Sequence, residues 1–243
     1  MTDRVYVLGV PVDAVDMEQA LMAVERMVHG DHAQAVIAVN PEKVIRAQQD
    51  PALLARLNNA SLLIPDGIGV VVASRLLGLA RMRRVPGSEL MPQICGLAAR
   101  NGYRVFLFGA SAEVNARTGQ VLRKRYPGLR IVGQQHGHVK ENEHEQVVEH
   151  INASQADILF IALGSPRQEL WMEKYLPRLC VKVCQGVGGT FDVIAGRVRR
   201  APWLFRQLHL EWFYRLLAQP TRIARQSALP LFAWQVVRKR VFG

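Results

Sequence analysis

One acidic side chain follows directly after a strongly apolar stretch of the sequence. Residues 62–65 read Leu-Leu-Ile-Pro, and Asp66 comes next, before a Gly-x-Gly turn at 67–69 and a second apolar run. This pattern predicts a buried strand ending at Asp66 and a tight turn into a helix. Since ligands bind at the C-terminal ends of strands in open α/β sheets, Asp66 is a candidate general base. The alternative is that Asp66 caps the helix that follows.

Two further polar side chains follow predicted strands. Asn40 comes after an apolar run at 34–39, and it either hydrogen-bonds a sugar hydroxyl or caps the helix that begins at Pro41. Gln168 lies three residues after Ser165, a spacing that favours a capping box. If the Gln168 side chain does not turn back to the cap, it points into the site.

Several residues are candidates for binding an anion. Arg84 lies in a basic loop at 81–88, and its planar guanidinium can bind two oxygens of a diphosphate. Gly109 lies at a predicted strand-to-helix turn, where free N–H groups can bind a phosphate or nucleotide. The G-x-G-x-x-G fingerprint is absent, which disfavours a dinucleotide-dependent oxidoreductase.

A glycine-rich turn follows the last predicted strand. Gly188 and Gly189 allow a ligand to approach the backbone, and Asp192 could hold the ribose hydroxyls of a nucleoside. The alternative is a left-handed turn with Asp192 in the first turn of a helix, where the helix dipole favours a carboxylate.

The sequence favours chemistry without a metal or another cofactor. His136 and His138 are two residues apart, but no acidic or cysteine ligands join them, and no Asp-x-Asp pair occurs in the chain. We therefore expect arginines and helix N-termini to neutralise any diphosphate.

Alternating apolar strands and amphipathic helices must position these side chains. Their order predicts an α/β fold with a mainly parallel, Rossmann-like sheet and helices on both faces. The pattern divides the chain into a core at 1–196 and a helical basic C-terminal appendage at 197–243, with helices expected at 203–218 and 221–240.

The basic charge is concentrated in the appendage. The chain carries a formal charge of +11, of which the appendage contributes +9. Its Trp, Phe and Leu residues alternate with arginines at helical spacing, which is typical of a helix on an anionic membrane surface. The N-terminus lacks the pattern of a signal peptide and no apolar window is long enough to span a bilayer, so we expect a cytoplasmic protein peripheral to the inner face of the membrane. A nucleic-acid-binding tail is the alternative, although no recognised nucleic-acid motif is present and we expect no such partner.

Six short motifs occur in series along nearly the whole chain. They are VNPEK at 39–43, PDGIG at 65–69, RVPGS at 84–88, GSPRQE at 164–169, GVGGTFD at 186–192 and LEWFYRLL at 210–217. Together they resemble the WecG/TagA/CpsF family of bacterial glycosyltransferases. The resemblance implies an inverting transfer of a sugar, an N-acetylmannosamine type or a hexose, from a UDP-sugar to a polyprenyl-diphosphate-linked saccharide in cell-surface polysaccharide biosynthesis.

The resemblance also implies roles for individual residues. Asp66 is the expected base, Asn40 and Gln168 are expected to hold the sugar or acceptor, and Arg84 is expected on the diphosphate. In this family the appendage mediates membrane attachment and contributes arginines to the site. The matching positions here are Arg215, Arg222 and Arg225.

One position departs from the pattern of the family. Some members carry Thr two residues before the Asn, where this chain has Ala38. The lost hydroxyl leaves the identity of the donor sugar open. Association of copies through the core, with the tail displaced, is also compatible with the resemblance. The alternative function is a basic nucleotide- or nucleic-acid-binding protein with a phosphate-binding tail.

Overall fold

The computed structural model describes residues 3–198, Phe205 and residues 227–242. Within this part of the chain, strands and helices alternate as the sequence predicts. The elements are β1 (Arg4–Val7), β2 (Val10–Asp13), α1 (Met17–Val28), β3 (Gln34–Val39), α2 (Pro41–Gln49), α3 (Pro51–Asn59), β4 (Leu62–Pro65), α4 (Ile68–Leu76), α5 (Gly87–Asn101), β5 (Arg104–Gly109), α6 (Ala112–Arg125), β6 (Arg130–Gln135), α7 (His144–Ala153), β7 (Ile158–Ala162), α8 (Arg167–Tyr175), β8 (Val183–Gly186), α9 (Thr190–Ile194) and α10 (Ala228–Phe242).

The described residues contain a six-stranded sheet in the order β4-β3-β8-β7-β5-β6. Each neighbouring pair is parallel, so the predicted α/β class with a mainly parallel sheet is confirmed. The C-terminal ends of the strands therefore meet at one edge of the sheet, as the proposed site requires.

Both faces of the sheet are covered by helices, as predicted. Apolar residues of α2, α3, α4, α7, α8 and α10 form one buried layer. Residues of α1, α5, α6 and α9 form the other. The middle strands are buried along their whole length because they are covered on both faces.

The sequence did not predict the hairpin of β1 and β2. These antiparallel strands form a separate two-stranded sheet, joined by Leu8 and Gly9, both with positive φ. Each strand has only four residues, and Pro11 within β2 weakens its strand signal. Asp13 attaches the hairpin to β4, because its Oδ2 accepts a hydrogen bond of 2.8 Å from the backbone N–H of Leu63.

The sequence pattern predicts a strand at 130–132 and a loop from Gly133, but the strand is longer. Strand β6 continues to Gln135 and pairs with β5 on both sides of a register shift at Val132. Gly133 permits close packing rather than a turn, because a Cβ there would lie 2.2 Å from the ring of Phe106.

Helix α10, at the C-terminal end of the chain, packs on α2 and α4. Phe232 and Val236 of α10 are buried and belong to the same apolar layer as these helices. The sequence places a helix at 221–240, and the described part of it begins at Ala228 and ends at Phe242. The helix predicted at 203–218 falls almost entirely outside the described residues.

Candidate active site

A cavity of about 990 Å³ opens at the C-terminal ends of β3, β4 and β8 and is bordered by α4 and α10. Six of the predicted site residues line it, which brings together side chains far apart in sequence. They are Asn40, Asp66, Arg84, Gln168, Gly188 and Gly189.

Asp66 lies at the end of β4, where the sequence predicts it. Its backbone N–H donates a hydrogen bond of 2.8 Å to the carbonyl of Val39, which fixes it against the end of β3. The residue at the cap position of α4 is Gly67, so Asp66 lies one residue before the cap. Gly67 has φ +95°, a conformation that glycine adopts without strain. Asp66 lines the cavity at this strand end.

Arg84 is held beside this strand end by its neighbour. The backbone N–H of Val85 donates a hydrogen bond of 2.8 Å to the carbonyl of Pro65, so the basic loop follows the end of β4. Arg84 is half-buried, lines the cavity and lies 3.5 Å from the carboxylate of Glu89. A guanidinium so placed can neutralise a bound diphosphate.

Asn40 caps α2, which is one of the two roles that the sequence predicts for it. Its Oδ1 accepts a hydrogen bond of 2.8 Å from the backbone N–H of Lys43, and Pro41 occupies the first helical position. The same side chain also lines the cavity. The cap therefore fixes its orientation at the edge of the site.

The predicted capping box at Ser165 and Gln168 is wrong. Pro166 occupies the cap position of α8, so Ser165 lies one residue too early, and no side chain caps the helix. Gln168 Oε1 instead accepts a hydrogen bond of 3.0 Å from the N–H of Gly188, and its Nε2 donates one of 3.2 Å to Glu169. The side chain of Gln168 thus holds the glycine-rich turn at the cavity wall.

Gln168 is hydrogen-bonded to a buried ion pair. Lys43 Nζ lies 2.6 Å from Glu169 Oε1, and the two side chains are 7% and 0% exposed. Burial by itself raises the pKa of the Glu169 carboxyl, but the Lys43 ammonium and the hydrogen bonds outweigh it and lower the pKa below its usual value. Because an ionised carboxylate only accepts hydrogen bonds, Glu169 also fixes which end of the Gln168 amide faces Gly188.

Sequence reasoning assigned no role to this pair. Both residues lie in the quoted motifs at 39–43 and 164–169, and this membership was the available signal. Their 126-residue separation hides the contact.

Two predicted ligand-binding residues are not among the described residues that line the cavity. Gly109 has φ +121°, and a Cβ there would lie 2.5 Å from the backbone of Ala162, so the glycine is needed for the close approach of β5 and β7. Asp192 lies in the first turn of α9, after a turn in which Gly188 has φ +53°. This is the alternative that the sequence left open, and the nucleoside role of Asp192 stays a prediction.

The three appendage arginines lie outside the described residues: Arg215, Arg222 and Arg225. In the part of the chain that the structure describes, no group of three or more His, Cys, Asp or Glu side chains is arranged to hold a metal ion. Within the same residues, no helix combines the length and the apolarity that crossing a membrane requires.

The fold and the cavity define an α/β protein whose site combines the carboxylates of Asp66 and Glu42 with cationic and amide groups. A family model described as the glycosyl transferase WecG/TagA/CpsF family matches residues 5–243. The chain belongs to this family.

Two similar proteins share one name. A protein of Bacillus spizizenii is 38% identical over 84% of this chain and 78% of its own length. One from Staphylococcus aureus strain MRSA252 is 35% identical over 98% of this chain and 94% of its own. Both are named N-acetylglucosaminyldiphosphoundecaprenol N-acetyl-β-D-mannosaminyltransferase.

Proposed function

We propose that this chain transfers a sugar from a UDP-sugar to a saccharide linked to polyprenyl diphosphate, with inversion at the anomeric carbon. The names of the relatives make N-acetylmannosamine the first donor sugar to test and undecaprenyl-diphosphate-linked N-acetylglucosamine the first acceptor. The observation that carries the proposal is the position of Asp66 in one cavity with Arg84 and Gln168.

The proposed reaction needs a single base. Asp66 accepts the proton of the acceptor hydroxyl as its oxygen attacks the anomeric carbon. The bond between that carbon and the UDP oxygen breaks, and UDP leaves with the bonding electrons. Arg84 stabilises the charge that develops on the diphosphate. A direct displacement of this kind inverts the configuration of the sugar.

The proposed reaction requires no divalent metal. The sequence contains no Asp-x-Asp pair, and Arg84 supplies a cation at the cavity. We expect turnover in excess EDTA to equal turnover with added Mg²⁺ or Mn²⁺. A loss of activity in EDTA that Mg²⁺ restores would contradict this part of the proposal.

A panel of UDP-sugars tests the function. Each sugar is incubated with undecaprenyl diphosphate N-acetylglucosamine, and UDP release and the anomeric configuration of the product are measured. We expect acceptor-dependent UDP release with at least one sugar and an inverted linkage. Reactions without acceptor, and with free N-acetylglucosamine, are the controls. Failure of every UDP-sugar to release UDP would refute the proposal.

We also propose that α10 rests on an anionic membrane surface. Its exposed side carries Trp234, with the Arg238 guanidinium 5.0 Å from the ring centre, followed by Lys239 and Arg240. Aromatic and basic side chains in this arrangement bind the interface of anionic bilayers. Co-sedimentation with vesicles containing phosphatidylglycerol is expected, and it should exceed binding to RNA or DNA at physiological salt. Equal binding to nucleic acid would favour the alternative function.

A further inference from the structure

The active-site cavity has a polar end at the edge of the sheet and a largely apolar side along α4 and α10. Asp66, Arg84 and Gln168 line the polar end, and α2 adds the charged side chains of Glu42, Lys43 and Arg46, whereas α4 and α10 contribute mainly aliphatic and aromatic side chains. We name the second region the α4–α10 wall and define it by Ile68, Val72, Leu76, Phe232, Ala233 and Val237. A ligand that fills the whole cavity is therefore amphiphilic.

The α4–α10 wall has a buried part and an exposed rim. Phe232 is buried in the contact of α10 with α2 and α4, and Gly69 lets the helices approach, since a Cβ there would meet Pro41 at 2.7 Å. By contrast, Val72 and Leu76 are 43% and 45% exposed although both line the cavity. Adjoining exposed apolar side chains at a cavity mouth are typical of a binding surface.

The spacing of the α4 residues gives the wall a direction. Ile68, Val72 and Leu76 follow one another at intervals of four, so they form a single stripe along the helix. Eight helical residues span about 12 Å. The stripe begins two residues after Asp66 and leads away from it, so its far end is separated from the proposed base by the space that a sugar and a diphosphate require.

We propose that the α4–α10 wall binds the first isoprene units of the acceptor lipid. The inference rests on the proposed function, in which the acceptor hydroxyl lies at Asp66. The sugar and diphosphate then extend from the polar end, and the prenyl chain meets Val72, Leu76 and Val237. Burial of the prenyl chain would raise kcat/KM for long-chain acceptors above that for short-chain acceptors with the same head group.

Acceptor chain length tests the wall. Two acceptors share N-acetylglucosamine diphosphate, and one has an undecaprenyl chain whereas the other has a two-unit prenyl chain. We expect Val72→Asn/Leu76→Asn to lower the ratio of kcat/KM for the long over the short acceptor by about 10-fold or more. Leu170→Asn is the matched control, because Leu170 of α8 is also 45% exposed but does not line the cavity. An unchanged ratio in the double variant, or an equal fall in the control, would overturn the proposal.

A second measurement does not depend on turnover. A prenyl diphosphate with a benzophenone at its second isoprene unit is photocross-linked to the full-length chain, and the adducts are mapped by mass spectrometry. We expect adducts within 68–76 or 228–242. Adducts confined to other segments, or cross-linked dimers in which a second copy covers the wall, would overturn the lipid assignment. If the wild type releases no UDP with any acceptor but gives the expected adducts, the proposed reaction fails and the lipid site stands.

Discussion

Removing either member of the buried Lys43–Glu169 pair is expected to destabilise the fold strongly. The two charged atoms are 2.6 Å apart and almost inaccessible to water, so Lys43→Met or Glu169→Gln leaves the other charge buried without its partner. Such a loss costs about 3–5 kcal/mol, which lowers Tm by roughly 6–20 °C in a chain of this size.

The double variant separates the charge from the packing. Lys43→Met/Glu169→Gln removes both charges with little change in volume, so no unpaired ion remains. We expect it to be more stable than either single variant, with a coupling energy of about 2 kcal/mol or more in the double-mutant cycle. Urea unfolding at pH 7, followed by circular dichroism, gives the four free energies of unfolding.

An exposed pair provides the matched control. Lys174 and Glu141 lie 3.0 Å apart at the surface, so Lys174→Met and Glu141→Gln are expected to change the free energy of unfolding very little. If single variants of Lys43 and Glu169 cost no more than those of the control pair, or if their effects simply add, the account of a coupled buried pair is refuted.

Three further outcomes follow from the structure. Lys43 lowers the pKa of Glu169 in the folded state. The stability that the pair contributes is therefore present above about pH 4.3 and is lost as the pH falls through the lower folded pKa. Between about pH 5 and pH 2, the free energy of unfolding of the wild type should fall relative to that of Lys43→Met/Glu169→Gln. Gly109→Ala is expected to lower Tm more than Gly188→Ala. At Gly109 the added methyl group meets the backbone of β7 at 2.5 Å, whereas at Gly188 it meets nothing within 4 Å and only the left-handed φ costs about 1–2 kcal/mol. Equal shifts of Tm in thermal melts would contradict this. Arg84→Ala should reduce kcat about 10²–10³-fold in the UDP-release assay with little change in Tm, and Arg84→Lys should recover only part of it, since an ammonium does not bind a diphosphate bidentately.

The sequence predicts the sheet because its strong signals are local. Apolar runs of four to six residues, each followed by a glycine, proline or cap, identify the parallel strands and place Asp66 at a strand end. The capping pattern of Asp16 and Gln19 likewise predicts the start of α1 correctly. Because the C-terminal ends of parallel strands lie at the same edge of the sheet, the order of the elements predicts that these polar residues lie together there.

Long-range contacts could not be predicted in the same way. Nothing local distinguishes the buried Glu169 from a surface glutamate of an amphipathic helix, because its partner Lys43 belongs to another element. The same applies to Gly109, for which the sequence suggests a phosphate and the structure shows a close approach to β7. A strand-end glycine has the same local signal in both roles.

The position of the appendage helix also depends on tertiary packing. Its composition is compatible with a membrane surface, a nucleic acid or the core. The structure buries Phe232 and Val236 against α2 and α4 and leaves Trp234 exposed. One face of the helix thus packs on the core and another is exposed, a division that the sequence alone allowed but did not assign.

The most direct test of the central claim is the turnover of Asp66→Asn. The substitution keeps the size and shape of the side chain but removes the base. We predict a Tm within a few degrees of the wild type and a fall of about 10²–10⁴-fold in acceptor-dependent UDP release, with the KM for the donor little changed. Wild-type turnover in a folded Asp66→Asn variant would contradict the assignment of Asp66 as the base.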